Sequence, residues 1–216
     1  MIVDERIVTF INSLDTKNSE LLEKIESEAR AADVPIIRRE MQSFLKVLLM
    51  LKKPVQILEV GTAVGFSALL MSENVPEKCR ITTIENYEKR IPIARENFRR
   101  AEKENQITLL EGDAAEVLKT LDGPYDFIFM DAAKGQYIHY LPDVLRLLAP
   151  GGCLVSDNVM QDGDVIESRF AVERRNRTIH ARMREYLYEL KHNDNLVTSI
   201  IPLGDGVAVS IKQERI

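Results

Sequence analysis

Residues 55–67 read VQILEVGTAVGFS, an apolar run that changes into a turn with two glycines. The run over residues 55–60 predicts a buried strand, because a short apolar stretch bounded by turn residues is typical of strands covered on both faces. Gly61 and Gly65 allow the backbone to turn tightly and to approach a ligand closely. A helix through residue 71 follows. The stretch therefore predicts the first strand, turn and helix of an open α/β sheet.

Strand and helix patterns alternate from this stretch to the end of the chain. The predicted strands are residues 55–60, 80–84, 106–110, 125–130, 152–156, 196–202 and 206–212. The helices predicted between them are residues 66–71, 87–103, 114–121, 136–148 and 167–191. Repeated strand–helix–strand units predict an α/β fold, with a parallel sheet covered by helices on both faces. The turn Gly204-Asp205-Gly206 joins the last two strands, which predicts a hairpin and one antiparallel strand at the end of the sheet.

Three helical stretches precede the sheet. They are residues 5–14, a helix capped by Asn18 or Ser19, and residues 38–51. We interpret residues 1–51 as a helical appendage, able to cover a site or a partner surface, on a core formed by residues 52–216. The length of 216 residues suits one domain.

Composition and charge exclude several classes of protein. The net charge of -5 and the pI of about 5.4 argue against coating nucleic acid through bulk charge, although a local basic patch remains compatible. Cys79 and Cys153 form no CxxC pair, so we expect no disulfide framework and a cytoplasmic location. The N-terminus lacks a signal-peptide pattern, and the aliphatic run 47–51 is far shorter than the roughly 20 residues of a membrane span. No membrane partner is expected.

Three successive predicted strands end in a glycine turn or an acidic residue. The glycine turn has the spacing G-x-x-x-G, which fits neither a dinucleotide fingerprint nor a phosphate loop. Glu85 could accept both hydroxyl protons of a ribose, or favour the start of the next helix. Asp113 beside Ala114 could bracket an adenine, or cap a helix. An adenosine-containing ligand without a pyrophosphate explains all three strand ends together.

The next two strands end in groups typical of a metal site. Asp131 follows the fourth strand, and Asp157 and Asn158 follow the fifth. These oxygen ligands suit Mg²⁺ or a similar cation. The alternative is that Asp131 caps a helix and the other two residues form a turn. Lys134 can point back at the same place as a general base, or it can be a solvated lysine.

The residues of these strand ends resemble those of the cation-dependent O-methyltransferases related to catechol O-methyltransferase. The matching residues are Glu59-x-Gly61-x-x-x-Gly65-Phe66-Ser67, Ile84-Glu85, Gly112-Asp113-Ala114, Asp131-Ala132-Ala133-Lys134 and Asp157-Asn158. Within the family the chain is most similar to the bacterial tRNA 5-hydroxyuridine methyltransferases, over nearly its whole length. The resemblance implies a Rossmann-like class I methyltransferase fold with a seven-stranded, mostly parallel sheet. It also implies S-adenosyl-L-methionine as the cofactor, Mg²⁺ or a similar cation, and a homodimer.

The resemblance also implies a role for each matching residue. For the cofactor it implies that Glu59, Gly61 and Ser67 hold the methionine part, Glu85 the ribose, and Asp113 and Ala114 the adenine, while Ile37 closes over the ligand. It further implies that Asp131, Asp157 and Asn158 hold the metal, with Asp131 also near the cofactor, and that Lys134 is the base.

The acceptor implied by the closest resemblance is 5-hydroxyuridine at the wobble position of tRNA, which becomes 5-methoxyuridine. Ala132 and Ala133 stand where catechol enzymes carry bulky residues, which indicates a wider entrance. Between Arg169 and Arg184 lies a basic stretch that could hold tRNA phosphates or form a solvated helix face. The alternatives are a small catechol or caffeoyl ester as acceptor, and a non-catalytic RNA-binding protein on the same fold.

Overall fold

The computed structural model describes residues 2–214, which form one seven-stranded sheet with helices on both faces. The strands are β1 (Gln56–Val60), β2 (Arg80–Glu85), β3 (Ile107–Glu111), β4 (Tyr125–Met130), β5 (Leu148–Ser156), β6 (Leu196–Ile201) and β7 (Val207–Lys212). The helices are α1 (Glu5–Ser13), α2 (Glu20–Ala31), α3 (Arg39–Lys52), α4 (Phe66–Glu73), α5 (Ile91–Arg100), α6 (Ala114–Thr120), α7 (Tyr137–Leu147) and α8 (Arg177–His192). None of the helices in this range is long and apolar enough to span a membrane.

The strand order explains where a ligand can bind. β1 lies between β2 and β4 inside a sheet with the order β3-β2-β1-β4-β5-β7-β6. Val60, the last residue of β1, is paired in parallel with Ile84 of β2 and with Met130 of β4. The order reverses between β1 and β4, and in such sheets a cleft opens outside the carboxyl ends of the strands at the reversal. The predicted α/β fold with a mostly parallel sheet is confirmed.

The hairpin at the end of the chain is present, but its antiparallel strand is not at the edge of the sheet as predicted. β7 pairs antiparallel with β5 on one side and with β6 on the other, so β6 takes the edge. The side chains explain this order. Val207 and Ala208 of β7 are fully buried, whereas Val197 of β6 is exposed. The strand with the better apolar cover therefore occupies the inner place.

The helix predicted over residues 87–103 starts later, as α5 at Ile91. Pro92 lies in its first turn, where the missing N–H group leaves no hydrogen bond unmade. Just before the helix, the backbone N–H of Tyr87 donates to the carboxylate of Glu85. This bond holds the chain in a turn and delays the start of the helix.

The helix predicted over residues 167–191 is wrong in its first part, because α8 starts only at Arg177. The N–H groups of Ala171 and Val172 donate to the carbonyl of Ser168, which makes a turn of this segment. Val172 is buried and anchors the turn against the body of the protein. The preceding segment is therefore a loop rather than two further helical turns.

The sheet separates two hydrophobic cores. Ile57 of β1 lies in the core under α2 to α5, and its neighbour Leu58 lies in the core under α6 to α8. Leu22 of α2 and Leu45 of α3 belong to the first core. Within the predicted helical appendage of residues 1–51, these two helices therefore share the hydrophobic core of the sheet. α1, by contrast, has no buried residue.

Candidate cofactor and metal site

A cavity of about 540 Å³ lies at the carboxyl ends of the central strands, where the strand order reverses. Most of the residues predicted for the site line it. These are Ile37, Gly61, Ser67, Glu85, Ala114, Asp131, Lys134, Asp157 and Asn158. The residues come from the N-terminal segment and from the ends of five strands, so the fold brings together positions that are far apart in the sequence.

The glycine turn after β1 requires glycine at its first position. Gly61 has a φ of 105°, and a Cβ atom there would lie 2.1 Å from the carbonyl oxygen of Asp131. The backbone of this turn therefore lies against the loop that carries Asp131. A side chain at residue 61 would collide with this backbone and push the two loops apart.

Glu85 is held in one orientation by three backbone donors. Its Oε2 accepts from the N–H of Ala63 at 2.7 Å. Its Oε1 accepts from the N–H groups of Asn86 at 3.0 Å and Tyr87 at 2.9 Å. A carboxylate has about four acceptor positions, so about one remains for a hydroxyl group of a ligand in the cavity. This arrangement fits the predicted binding of ribose.

Glu59 and Asp113 are the two predicted residues that do not line the cavity. Asp113 is exposed, and its Oδ1 accepts from the N–H of Ala115 at 2.8 Å, which makes it the N-cap of α6. For Asp113 the structure thus matches the alternative of a helix cap, while Ala114 beside it does line the cavity.

Glu59 lies fully buried beneath the cavity floor. The hydroxyl of Thr83 donates to its Oε2 at 2.5 Å, while its Oε1 has no partner within residues 2–214. Burial raises the pKa of Glu59 to about 7, although the nearby hydroxyl groups of Ser67 and Thr83 favour the charged form. An orphaned buried acceptor next to the cavity is the kind of atom that a bound donor would satisfy.

Asp131 and Asp157 lie side by side at the ends of β4 and β5. Met130 is paired with Ser156 in the sheet, and the N–H of Asp157 donates to the carbonyl of Met130 at 2.9 Å. Burial raises the pKa of both carboxyl groups, that of Asp157 to about 7, with the charge of Asp131 as a second cause. A cation between the two side chains would remove this repulsion.

The donor set at these strand ends suits a hard cation only when Asn158 is included. Across residues 2–214 no cluster of three His, Cys, Asp or Glu side chains can hold a metal. Asn158 follows Asp157 directly, has a positive φ of 56°, and lines the same cavity. Two carboxylates and one amide oxygen leave open positions for water and substrate, which is the pattern of Mg²⁺ sites.

Tyr137 braces this acidic corner and was not predicted. Its fully buried hydroxyl lies 3.1 Å from the carbonyl oxygen of Met130 and 3.2 Å from that of Asp157, and it can donate to either. It also accepts from the N–H of Ala132 at 3.2 Å. The hydroxyl thereby ties together the loops after β4 and β5. Its position at the start of α7 is the only sequence signal, and many tyrosines share that position.

Other residues of the cavity were also missed. Tyr87 and Arg90 line it beside Glu85, with the Arg90 guanidinium 5.2 Å from the Tyr87 ring centre. Asp205 lines the acidic side and is buried, with a pKa raised by that burial. The sequence indicated Asp205 only as part of a turn, because its approach to the cavity depends on the hairpin of β6 and β7.

The basic stretch between Arg169 and Arg184 has two parts. Three of its arginines donate to backbone carbonyls: Arg177 to Val172, Arg182 to Gly135 and Arg184 to Val165. His180 is buried, with Nε2 3.1 Å from the carbonyl oxygen of Glu167. The remaining arginines, Arg169, Arg174 and Arg175, are exposed on the loop before α8. Neither a solvated helix face nor a continuous phosphate-binding surface describes the whole stretch.

Comparison with known sequences gives one family. The model of the O-methyltransferase family matches residues 12–213. The catechol O-methyltransferase of Niastella koreensis is 38% identical over 128 residues, which cover 57% of this chain and 58% of that protein. The caffeoyl-CoA O-methyltransferase 2 of Populus trichocarpa is 30% identical over 180 residues, 77% of this chain and 70% of that protein. The chain thus spans less than two thirds of the length of the bacterial relative and slightly more than two thirds of the length of the plant relative.

Solved structures share the fold over nearly the whole chain. A caffeoyl-CoA O-methyltransferase candidate from Staphylococcus aureus has a TM-score of 0.88 and 30% identity, and the match covers 97% of this chain and 100% of that one. The methyltransferase PaMTH1 of Podospora anserina, solved with bound SAH, has a TM-score of 0.87 and 25% identity, with coverage of 97% and 95%.

Proposed function

This chain belongs to the O-methyltransferase family, and we propose that it transfers the methyl group of S-adenosyl-L-methionine to a hydroxyl oxygen of its acceptor. One observation carries the proposal. A single cavity holds Glu85, oriented by three backbone N–H groups, and the adjacent carboxylates of the half-buried Asp131 and the buried Asp157. The first group suits the ribose of the cofactor, and the second suits a cation that holds the acceptor.

The cofactor half of the cavity supports S-adenosyl-L-methionine. Gly61 lets the backbone approach the ligand, and Ser67 and Ala114 line the wall on either side of Glu85. A dinucleotide would bring a pyrophosphate, and the G-x-x-x-G turn has no fingerprint for one. The SAH-bound structure of the Podospora anserina methyltransferase is consistent with a cofactor of this class.

The acidic half supports a divalent cation such as Mg²⁺, held by Asp131, Asp157 and Asn158. When bound, such a cation lowers the pKa of an acceptor hydroxyl and neutralises the developing oxyanion. Tyr137 fixes the two loops that carry these ligands, so their side chains are oriented before the acceptor binds. The raised pKa of Asp157 indicates that burial alone does not suit its charge, and a cation would compensate it.

Lys134 is proposed as the base that takes the proton of the acceptor hydroxyl. Its side chain lines the cavity, where its charge interacts with the carboxylates of Asp131 and Asp157. Arg182 donates to the carbonyl of the next residue, Gly135, at 3.0 Å and so fixes the turn that carries Lys134. The acceptor oxygen then attacks the methyl carbon, the carbon–sulfur bond breaks, and the sulfonium becomes a neutral thioether.

The acceptor is proposed to be 5-hydroxyuridine at the wobble position of tRNA. Its hydroxyl and the neighbouring carbonyl offer two adjacent oxygens to one cation. Ala132 and Ala133, which line the entrance, leave room for a nucleotide that remains attached to its chain.

A small catechol or a caffeoyl ester is the second candidate. It presents an equivalent pair of oxygens, and the relatives from Niastella koreensis and Populus trichocarpa are named for such acceptors. A non-catalytic RNA-binding protein is disfavoured, because Lys134 and the predicted metal ligands are all retained in the cavity.

The two acceptors can be separated by labelled S-adenosyl-L-methionine and Mg²⁺. One reaction receives tRNA that carries 5-hydroxyuridine, and a parallel reaction receives catechols and caffeoyl esters. We expect label in the tRNA, recovered as 5-methoxyuridine. Label in the small phenols alone would contradict the tRNA acceptor and leave the methyltransferase assignment intact.

The protein is also proposed to form a homodimer through an apolar patch on α1 and α3. The exposed side chains of this patch are Ile7, Phe10, Ile11, Leu14, Val47, Met50 and Leu51. The two helices are joined by hydrogen bonds from Asn12 to Glu40 and from Ser43 to Asp15, so the patch is continuous. Apolar patches of this kind are typical of subunit interfaces, and the family resemblance implies a dimer.

Phe10→Glu is expected to convert the dimer into a monomer, because it places a charge in the middle of the apolar interface. Light scattering during gel filtration measures the change. Ile93→Glu, at an exposed apolar position of α5, is the matched control and should leave the dimer intact. A wild-type protein that is monomeric at micromolar concentration would refute this interface.

A further inference from the structure

The loop between the acidic corner and α8 exposes two large apolar side chains. Phe170 is 87% exposed and Ile166 is 70% exposed, on the segment of residues 166–176 that we call the outer loop. A phenylalanine side chain gains roughly 2–3 kcal/mol when it is buried. Because Phe170 is exposed, its side chain contributes little to the stability of the fold, and folding does not explain why an aromatic residue stands at this position.

The outer loop is held in shape by α8. The guanidinium of Arg177 donates to the carbonyl of Val172 at 3.2 Å and to that of Phe170 at 3.5 Å. Arg184 donates to the carbonyl of Val165 at 2.9 Å, at the start of the loop. Val172 is buried beneath the loop. Phe170 is therefore presented to the solvent by a braced turn and not by a free end.

The outer loop also carries unpaired positive charge. Within the described range of residues 2–214, the side chains of Arg169 and Arg174 form no hydrogen bond and no ion pair, and both are exposed. Arg175 differs, because it forms an ion pair with Glu173 at 2.7 Å. The chain as a whole has a net charge of -5, so two free guanidinium groups beside an exposed aromatic ring stand out.

The outer loop is connected at both ends to elements of the acceptor side of the cavity, and its own residues lie outside the cavity lining. On its N-terminal side, the outer loop is preceded by the segment that contains Asn158 and Asp162, and both of these residues line the cavity. It leaves through α8, whose Arg182 donates to the carbonyl of Gly135 beside Lys134. A polymer with one residue beside Lys134 therefore has α8, and the outer loop that precedes α8, as neighbouring surface.

We infer that the outer loop binds an unpaired nucleotide next to the one that is methylated, by stacking on Phe170 and ion pairs from Arg169 and Arg174 to phosphates. An exposed aromatic ring binds any base through its face, and guanidinium groups bind the backbone. RNA is favoured over a second copy of this chain because each nucleotide carries a phosphate, whereas the chain's net charge of -5 is spread over 216 residues. The inference rests on the proposed tRNA acceptor and names the surface that would hold it.

The test uses full-length protein with SAH and a labelled anticodon stem-loop RNA, with the dissociation constant measured by fluorescence anisotropy at several salt concentrations. Phe170→Ala should weaken binding by about 5- to 100-fold. Arg169→Gln and Arg174→Gln should each lower the slope of log Kd against log salt by about 0.7. Two matched controls should change neither value: Arg175→Gln, at the paired arginine, and Tyr188→Ala, at an exposed aromatic residue of α8.

Methyl transfer separates this inference from the proposed function. If the wild type methylates tRNA and Phe170→Ala binds RNA equally well, the outer loop is not the RNA surface and the tRNA acceptor stands. If the wild type binds no RNA and methylates only phenols, both fail. If Phe170→Ala instead changes the oligomeric state, the loop contacts a second copy and the inference is wrong. Unchanged melting temperature and SAH affinity show that each variant is folded.

Discussion

Lys134→Met is expected to lower kcat for methyl transfer by about 10²- to 10⁴-fold, the usual contribution of a positioned general base. Methionine keeps an unbranched side chain of similar length and removes the amine. The affinity for S-adenosyl-L-methionine should stay within about twofold, because Lys134 lies on the acceptor side of the cavity and Glu85 on the cofactor side. Single-turnover kinetics and calorimetry measure the two quantities.

Lys119→Met is the matched control for this substitution. Lys119 lies on α6, outside the residues that line the cavity, and pairs with Glu116 at 2.8 Å. Its replacement should leave kcat unchanged. Full turnover by Lys134→Met at every pH would show that another group takes the proton.

Glu59 is expected to make the ligand-free protein less stable as pH rises. Its pKa is about 7 in the folded protein, against 4.5 as the ordinary value, so the folded state binds the proton more tightly. The stabilisation that comes from this tighter proton binding by Glu59 is complete below about pH 4.5 and is lost as pH rises through 7. Between pH 5 and pH 8 the loss amounts to about 2–3 kcal/mol.

Glu59→Gln removes this titration. Its free energy of unfolding, relative to wild type, should rise by about 2–3 kcal/mol between pH 5 and pH 8, because packing effects cancel in the difference. Urea unfolding at the two pH values measures it. Glu88→Gln, at an exposed position, is the control. If the free energy of unfolding changed equally with pH in wild type and Glu59→Gln, Glu59 would have the same charge in the folded and unfolded states over this pH range.

The strand ends of the site could be predicted because their positions follow from the topology. A parallel strand places its last residue at one edge of the sheet, whatever the rest of the chain does. Glu85 is the last residue of β2, Asp131 and Asp157 directly follow β4 and β5, and all three line the cavity. Periodicity along the chain was sufficient to find the strands, and therefore to find the site.

Asp205, Tyr137 and the outer loop depend on contacts between distant elements. Asp205 reaches the cavity because β7 enters the sheet beside β5, and strand order within a hairpin is not encoded in its periodicity. Tyr137 acts through the carbonyl groups of two other strand ends. The segment before α8 has helical composition, but the turn at Ser168 and the burial of Val172 exclude a helix there.

The position of Glu59 shows a different limit. Its sequence context placed it next to the glycine turn, and the family resemblance implied contact with the cofactor. In the structure its side chain lies below the cavity floor and bonds to Thr83. Alternation along a strand predicts which face a side chain takes, but not whether a polar side chain on that face opens into a cavity.

The central claim is that this cavity transfers a methyl group from S-adenosyl-L-methionine to an oxygen held by a cation. The most direct measurement takes protein freed of divalent cations by a chelator and follows methyl transfer to tRNA that carries 5-hydroxyuridine as Mg²⁺ is added. We predict that S-adenosyl-L-methionine binds without Mg²⁺, that product forms only as Mg²⁺ is added, and that Asp157→Asn needs more Mg²⁺. Undiminished transfer in excess chelator, or no binding of S-adenosyl-L-methionine at all, would contradict the account.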